Sequence, residues 1–371
     1  MPVRSVLSKK SIKFFSAIIG LPLKAIEILD LVGLYTAKTK ELKSFANEDE
    51  VINTMREITN QSQEELAKNE DKIILNGERL ISKDIIGQDW AVHRVANKLK
   101  QNELDLKEGK LNYKPISFLF VGATGVGKTE LAKSIAKIYL GSEKSLVTLD
   151  MNEYQSDDSV DRIIGSSSNT NSIVNLVEKS PDLLIELTRI EKANISVKDL
   201  IQEILSQGKV NNSQGNPVDF SHCIIIITTC LGSNFIQEQL LIGVHLDEIE
   251  EELITTELNQ ALGVDLISSF NDIIVFNPLT PKDAIQITEG MIKKVEEMLN
   301  SKGILLKSRP EGIEILSHAG FDSNIGAKPL RKIIQEMVEN KIAKKIIDGL
   351  IKTGDTVIID INGEIMVEKG K

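Results

Sequence analysis

The sequence predicts an α/β domain with a central parallel sheet covered by helices, followed by a small C-terminal α+β domain. Three observations carry this expectation. Short apolar runs alternate with helical segments from Ile85 to about Phe276. A glycine-rich stretch sits where one such run gives way to a helix. Beyond Pro278 the pattern changes to long helices closed by a hairpin signal.

The expected strands are Ser117–Val121, Leu146–Asp150, Leu183–Leu187, Ile224–Thr228 and Ile273–Phe276. Each is apolar on both faces, as suits a parallel sheet covered on each side. Thr280-Pro281 opens a helix of about two dozen residues through its N-cap and N1 preferences. A helix over Glu311–Ala319 and a long one from about Pro329 follow. Asp355–Asp360 and Glu364–Glu368 flank Asn362-Gly363, which predicts a type I′ hairpin. The domain boundaries expected are 82–278 for the α/β unit and 279–371 for the small one. A basic amphipathic segment (1–43) and a polar helical linker (44–81) precede them.

At 371 residues the chain is long enough for a main domain and smaller units. Hydrophobic content of 41% and charged content of 26% fit an ordinary soluble globular protein. A net charge of −10 argues against nucleic acid as the main partner, because no wide basic footprint is expected. Cys223 and Cys230 lie on one expected strand, separated by about 23 Å of extended chain. They cannot pair there, and the chain reads as reduced, which fits a reducing intracellular compartment. His93, His222, His245 and His318 are scattered without ligand spacing.

Charge is unevenly placed. Residues 1–43 hold eight Lys/Arg against three acids. The apolar run Phe14–Leu23 is too short to span a bilayer. From Pro22 an amphipathic helix is expected, with Ala25, Ile28, Leu29 and Val32 on one face. An organelle presequence, a membrane-surface anchor and a docking helix all fit this segment.

Gly122-Ala123-Thr124-Gly125-Val126-Gly127-Lys128-Thr129 satisfies the phosphate-loop pattern at every required position. It follows an expected strand and opens the helix Gly127–Leu140, the context that distinguishes a binding loop from a chance turn. Such glycines let backbone N–H groups curl around phosphate oxygens at the positive end of a helix. Lys128 is placed for the β- and γ-phosphates and the Thr129 hydroxyl for Mg²⁺.

Around this loop the chain resembles the C-terminal ATPase domain of ClpB-like disaggregases, members of the AAA+ family. The resemblance rests on Ile85-Ile86-Gly87-Gln88, on Phe118 through Lys133, on Asp150-Met151-Asn152-Glu153-Tyr154 and on Ile190-Glu191-Lys192-Ala193. Val218-Asp219-Phe220 and Gly326-Ala327-Lys328-Pro329-Leu330-Arg331 extend it to roughly residues 82–370. It implies ATP or ADP as ligand, with Ile85 and Ile86 near the base, and assembly with protein partners, as a homo- or hetero-oligomer.

The family's hydrolytic residues are changed. Where the family has Asp-Glu at the end of the third strand, this chain has Thr188-Arg189. A magnesium-holding acid and a water-orienting glutamate are thereby lost, which puts Mg²⁺ in doubt. Glu186, two residues deeper on the same strand face, reads as a poor substitute, expected below the phosphates. The sensor asparagine is replaced by Cys230, the arginine finger by Ser269 and the small-domain sensor arginine by Lys328. The pore-loop aromatic is missing from Gly165–Ser172. Arg189 is expected to face the γ-phosphate and, with Lys128, to replace part of the metal's charge. The expectation is a protein that binds adenine nucleotide and hydrolyses it poorly or not at all. The alternative is an ATPase whose missing groups come from a neighbouring subunit.

Overall fold

In a computed structural model that describes residues 76–107, 113–165, 172–322 and 325–370, the expected elements form in order. After a helical entry at residues 76–81 come α1 (Asp89–Lys107), β1 (Ile116–Val121), α2 (Lys128–Tyr139) and β2 (Leu146–Asp150). The chain continues through α3 (Ser159–Ile164), α4 (Ile173–Lys179), β3 (Leu184–Thr188) and α5 (Ile195–Gln207). A short hairpin of β4 (Lys209–Asn211) and β5 (Pro217–Asp219) leads to β6 (Ile224–Thr229). Next are α6 (Ser233–Leu241), α7 (Leu246–Leu253), α8 (Val264–Ser268) and β7 (Asp272–Val275). The segment at 1–43, nearly all of the linker and residues 166–171 of the pore-loop interval lie outside the described residues.

Five strands form one parallel sheet in the order β2-β3-β6-β1-β7. Both faces are covered, as the unbroken apolar runs predict. Leu119, Val121, Ile185, Leu187, Ile225 and Ile227 face one core, and Phe118, Phe120, Leu184, Ile224 and Ile226 the other. The second core includes Leu131 and Ile135 of α2, which packs that helix against β2 and β3. In a parallel sheet the loops at the carboxyl ends of the strands converge on one edge, and ligands bind there.

The small domain begins at Thr280, whose hydroxyl and Asp283 form a reciprocal capping box at the start of α9 (Pro281–Asn300). It continues with β8 (Leu305–Ser308), α10 (Pro310–Gly320) and α11 (Leu330–Ile334). A π-helical turn at Gln335–Glu339 joins α11 to α12 (Asn340–Ile347). β9 (Thr356–Ile359) pairs parallel with β8 and antiparallel with β10 (Ile365–Glu368).

The hairpin is present, but its turn is not type I′. Asn362 stays at negative φ, and only Gly363 is left-handed, at φ 72°. Gly363 N–H donates to Asp360 O, and Asp360 N–H to Glu364 O, a type I turn followed by a bulge. The cause is Asp360, whose Oδ1 accepts from both Asn362 N–H and Glu364 N–H at 2.8 Å and holds the type I geometry. Among the described residues no helix is long and apolar enough to cross a membrane.

Candidate functional site

The glycine-rich loop leaves the carboxyl end of β1 and turns into α2 through Gly127, at φ 112°. No side chain caps this helix. Its first N–H groups therefore point outward without intrahelical partners, beside the positive end of the helix dipole. Lys128 folds back beneath the loop, its ammonium donating to Gly122 O at 2.5 Å and Ala123 O at 2.8 Å. Only 8% of its surface is exposed. Burial pushes its pKa down, and the nearby Cys230, Glu191 and Glu186 offset that only in part. Among the described residues no carboxylate pairs directly with this ammonium, which a phosphate arriving at the loop would meet.

Gln88 anchors the loop from outside. Its amide nitrogen donates to Val126 O at 3.0 Å and to Asn277 O at 2.8 Å, while its oxygen accepts from Asn277 N–H at 2.9 Å. The sequence reading names Gln88 only as part of a motif. Its signal is a fully buried amide, visible only once the fold is known. Ile85 is buried in the same α2-side core as Val126 of the loop, and Ile86 is half-exposed.

At the end of β3 the geometry is less open than expected. Arg189 is the one non-glycine residue at positive φ among the described residues, φ 61°. Its guanidinium pairs with Asp150 at the end of β2, Nε lying 3.0 Å from Oδ1 and Nη2 against Oδ2. With its amide oxygen turned toward the guanidinium, Asn152 accepts from Nη1 at 2.6 Å. Arg189 reaches a γ-phosphate only by leaving this carboxylate. Thr188 contributes a weak hydroxyl contact to Leu149 O at 3.4 Å.

Glu186 makes a contact that the sequence does not reveal. Although fully buried, its carboxylate is not remote from the loop: Thr129 Oγ1 donates to Oε1 at 2.7 Å. Thr148, its register partner on β2, donates to Oε2 at 3.0 Å. Burial raises the pKa of this acid, and the two threonine hydroxyls pull it back down. Side-chain length and the descent of α2 onto β3 close a gap that strand spacing alone leaves open.

Cys230, just beyond β6, lies 3.9 Å from the Lys128 ammonium and 3.4 Å from Thr124 Oγ1, on the phosphate side of the loop. Glu191 accepts from Thr229 Oγ1 at 2.8 Å at the same edge. Ser269 lies apart, in a polar cleft with Lys114, Gln202, Asp265 and Asn271, and bonds to Leu266 O. The small domain, by contrast, reaches the loop directly. Ala327 N–H donates to Gly125 O at 3.1 Å. Gly125 has φ 78°, and a Cβ there would lie 2.1 Å from Ile325 O, so only glycine admits this contact. Lys328 follows in the same turn, with its side chain exposed.

The same chain segments match known proteins. The family model for the AAA domain (Cdc48 subfamily) covers residues 113–273. The model for the C-terminal, D2-small domain of ClpB protein covers residues 279–359. The chaperone protein ClpB3, mitochondrial, of Oryza sativa subsp. japonica is 32% identical over 316 residues, 82% of this chain and 32% of that protein. The chaperone protein ClpB of Aquifex aeolicus is 34% identical over 340 residues, 87% of this chain and 33% of that protein. The chain thus spans about a third of the length of these curated relatives. A solved structure, the S. cerevisiae Hsp104–ADP complex, superposes with a TM-score of 0.75 over 95% of this chain and 63% of that one, at 24% identity. With an AAA domain and a ClpB-type small domain placed consecutively on one phosphate-loop fold, the chain belongs to the AAA+ proteins of the Clp type.

Proposed function

We propose that this chain binds an adenine nucleotide, ATP or ADP, and serves as a hydrolysis-deficient structural or regulatory subunit of a chaperone-type assembly. The observation that carries this is the contrast within one site. The uncapped helix end and the buried Lys128 needed for phosphate are intact, while Thr188 and Arg189 stand where the family has acids. An arginine only donates hydrogen bonds and cannot activate water. Relatives named as chaperones and a structural neighbour solved with ADP support the ligand class. Association with copies of itself or with related subunits follows the same reading.

Calorimetric titration tests it. Both ATP and ADP bind in the expected result, and steady-state turnover stays far below that of a ClpB relative assayed alongside. Absence of binding at millimolar nucleotide sinks the proposal, and turnover matching the relative replaces it with an active enzyme.

Arg189 belongs to the proposal as a γ-phosphate contact that exchanges one anion, Asp150, for another. Both partners are partly exposed, so the existing pair is worth little. Arg189→Ala is expected to weaken ATP about 3- to 10-fold and leave ADP unchanged. Equal effects on both nucleotides would remove Arg189 from the site.

A further inference from the structure

We infer that Glu186 has taken over the task of the missing acid at position 188: it orients the Thr129 hydroxyl so that a divalent cation can bind with the nucleotide. The inference rests on the nucleotide-binding reading above.

The argument starts from the hydroxyl. A threonine oxygen has one proton to donate and two lone pairs. Where an acceptor carboxylate holds the proton on the protein side, the lone pairs turn outward, toward the metal. Thr129 is held this way, donating to Glu186 Oε1 at 2.7 Å. Partners of this kind, one step behind a metal ligand, set its orientation and basicity. The family's acid that helps hold Mg²⁺ belongs at the position of Thr188, whose own hydroxyl is turned to Leu149 O at 3.4 Å. The acid has therefore not vanished from the strand. It sits one pleat deeper, on the same face, with a side chain one methylene longer.

Three further features fit that role. Glu186 is fully buried, beneath the loop rather than beside solvent. Its second oxygen is fixed by Thr148, in register on the adjacent strand, so the carboxylate cannot turn away from Thr129. Beyond the threonines, its neighbours on this face of the sheet include the apolar Leu184, Ile226 and Phe120. A buried acid among such neighbours is destabilising for the fold unless it is hydrogen-bonded or otherwise employed. The donor set, a hydroxyl backed by a carboxylate and open to phosphate oxygens, is all-oxygen chemistry. It suits Mg²⁺, which is bound through few protein groups plus phosphates and water.

The consequence for this chain is that loss of the residue at 188 removes less of the metal's support than the motif suggests. Metal-assisted nucleotide binding persists while the water-orienting group is gone.

The test uses the full chain with ADP, measured by calorimetry in EDTA and at graded Mg²⁺, and by electron paramagnetic resonance of bound Mn²⁺. Wild type is expected to bind ADP more tightly with the cation. In Glu186→Gln, cation affinity of the ADP complex is expected to fall about 10- to 100-fold, with ADP affinity in EDTA unchanged. The double variant Glu186→Gln/Thr188→Asp, with the acid at the family position, is expected to regain the cation. If wild-type affinity is the same in EDTA and Mg²⁺, or if Glu186→Gln binds Mn²⁺ as wild type does, the inference is overturned while nucleotide binding stands. Failure of wild type to bind ADP at all overturns the parent reading as well. Should Glu186→Gln not fold, Thr148→Val, which frees the far oxygen, must weaken the cation in the same direction, and unchanged Mn²⁺ binding there overturns the inference.

Discussion

Lys128→Met is expected to change two properties in opposite directions: nucleotide affinity collapses, and the nucleotide-free protein melts higher. Lys128 carries a cation folded under the phosphate loop, held by two backbone carbonyls. Truncating one partner of a buried, hydrogen-bonded charge pair costs about 2–4 kcal/mol, or about 30- to 1,000-fold in affinity. Calorimetry with ATP and ADP reads this directly. In the empty site the same ammonium is a liability. Burial holds its pKa down, so the charged form is worse off folded than unfolded. That penalty applies while the ammonium stays charged and is relieved as pH rises past its depressed folded pKa. A methionine of similar volume removes it, and each kcal/mol gained raises the melting temperature by about 2–4 °C in a domain of this size. A variant that melts lower, or binds nucleotide as wild type does, would show that Lys128 serves the fold rather than the ligand. The trade is common where a site is kept charged for a ligand.

Thr188→Asp/Arg189→Glu is expected to raise ATP turnover by about 10²-fold or more, the usual contribution of a positioned general base. The geometry permits it. Thr188 ends β3 at the carboxyl edge and Arg189 follows it, next to Asp150 and within the same cluster of strand ends as Cys230. Arg189→Glu also dissolves the pair with Asp150 and sets two acids side by side, so a modest drop in melting temperature should accompany the gain. Turnover that does not move would locate the block at Cys230 and Ser269, the other replaced positions. Steady-state phosphate release by the purified double variant decides between these outcomes.

The sheet was legible because its strands are apolar on both faces, a pattern that needs no tertiary information. Each expected strand lies within one residue of its observed position. The phosphate loop was equally legible, since its spacing is local and its glycines have local reasons. What escaped was carried by long-range contact. Gln88 bonds to Asn277 across 189 positions, and no local pattern marks a glutamine for that purpose. The partner of Arg189 lies 39 positions away on a neighbouring strand. The contact between Glu186 and Thr129 spans 57 positions and depends on the packing of α2 against β3. The hairpin turn was misread for a local reason: Asn-Gly favours type I′, but Asp360 accepts two backbone N–H groups and outweighs it.

The phosphate loop hangs between two fastenings that belong to the same joint. Gln88 ties Val126 to Asn277, where the chain crosses into the small domain, and Ala327 ties Gly125 back from that domain. The loop thus behaves as a short tendon across a hinge. A displacement that drew Gly125 toward a phosphate would pull on the turn at 325–328 through the Ala327–Gly125 hydrogen bond. If the subunit does not turn over, as proposed above, such a coupling would work as a gauge rather than a motor: the angle between its two domains would register whether the pocket is filled.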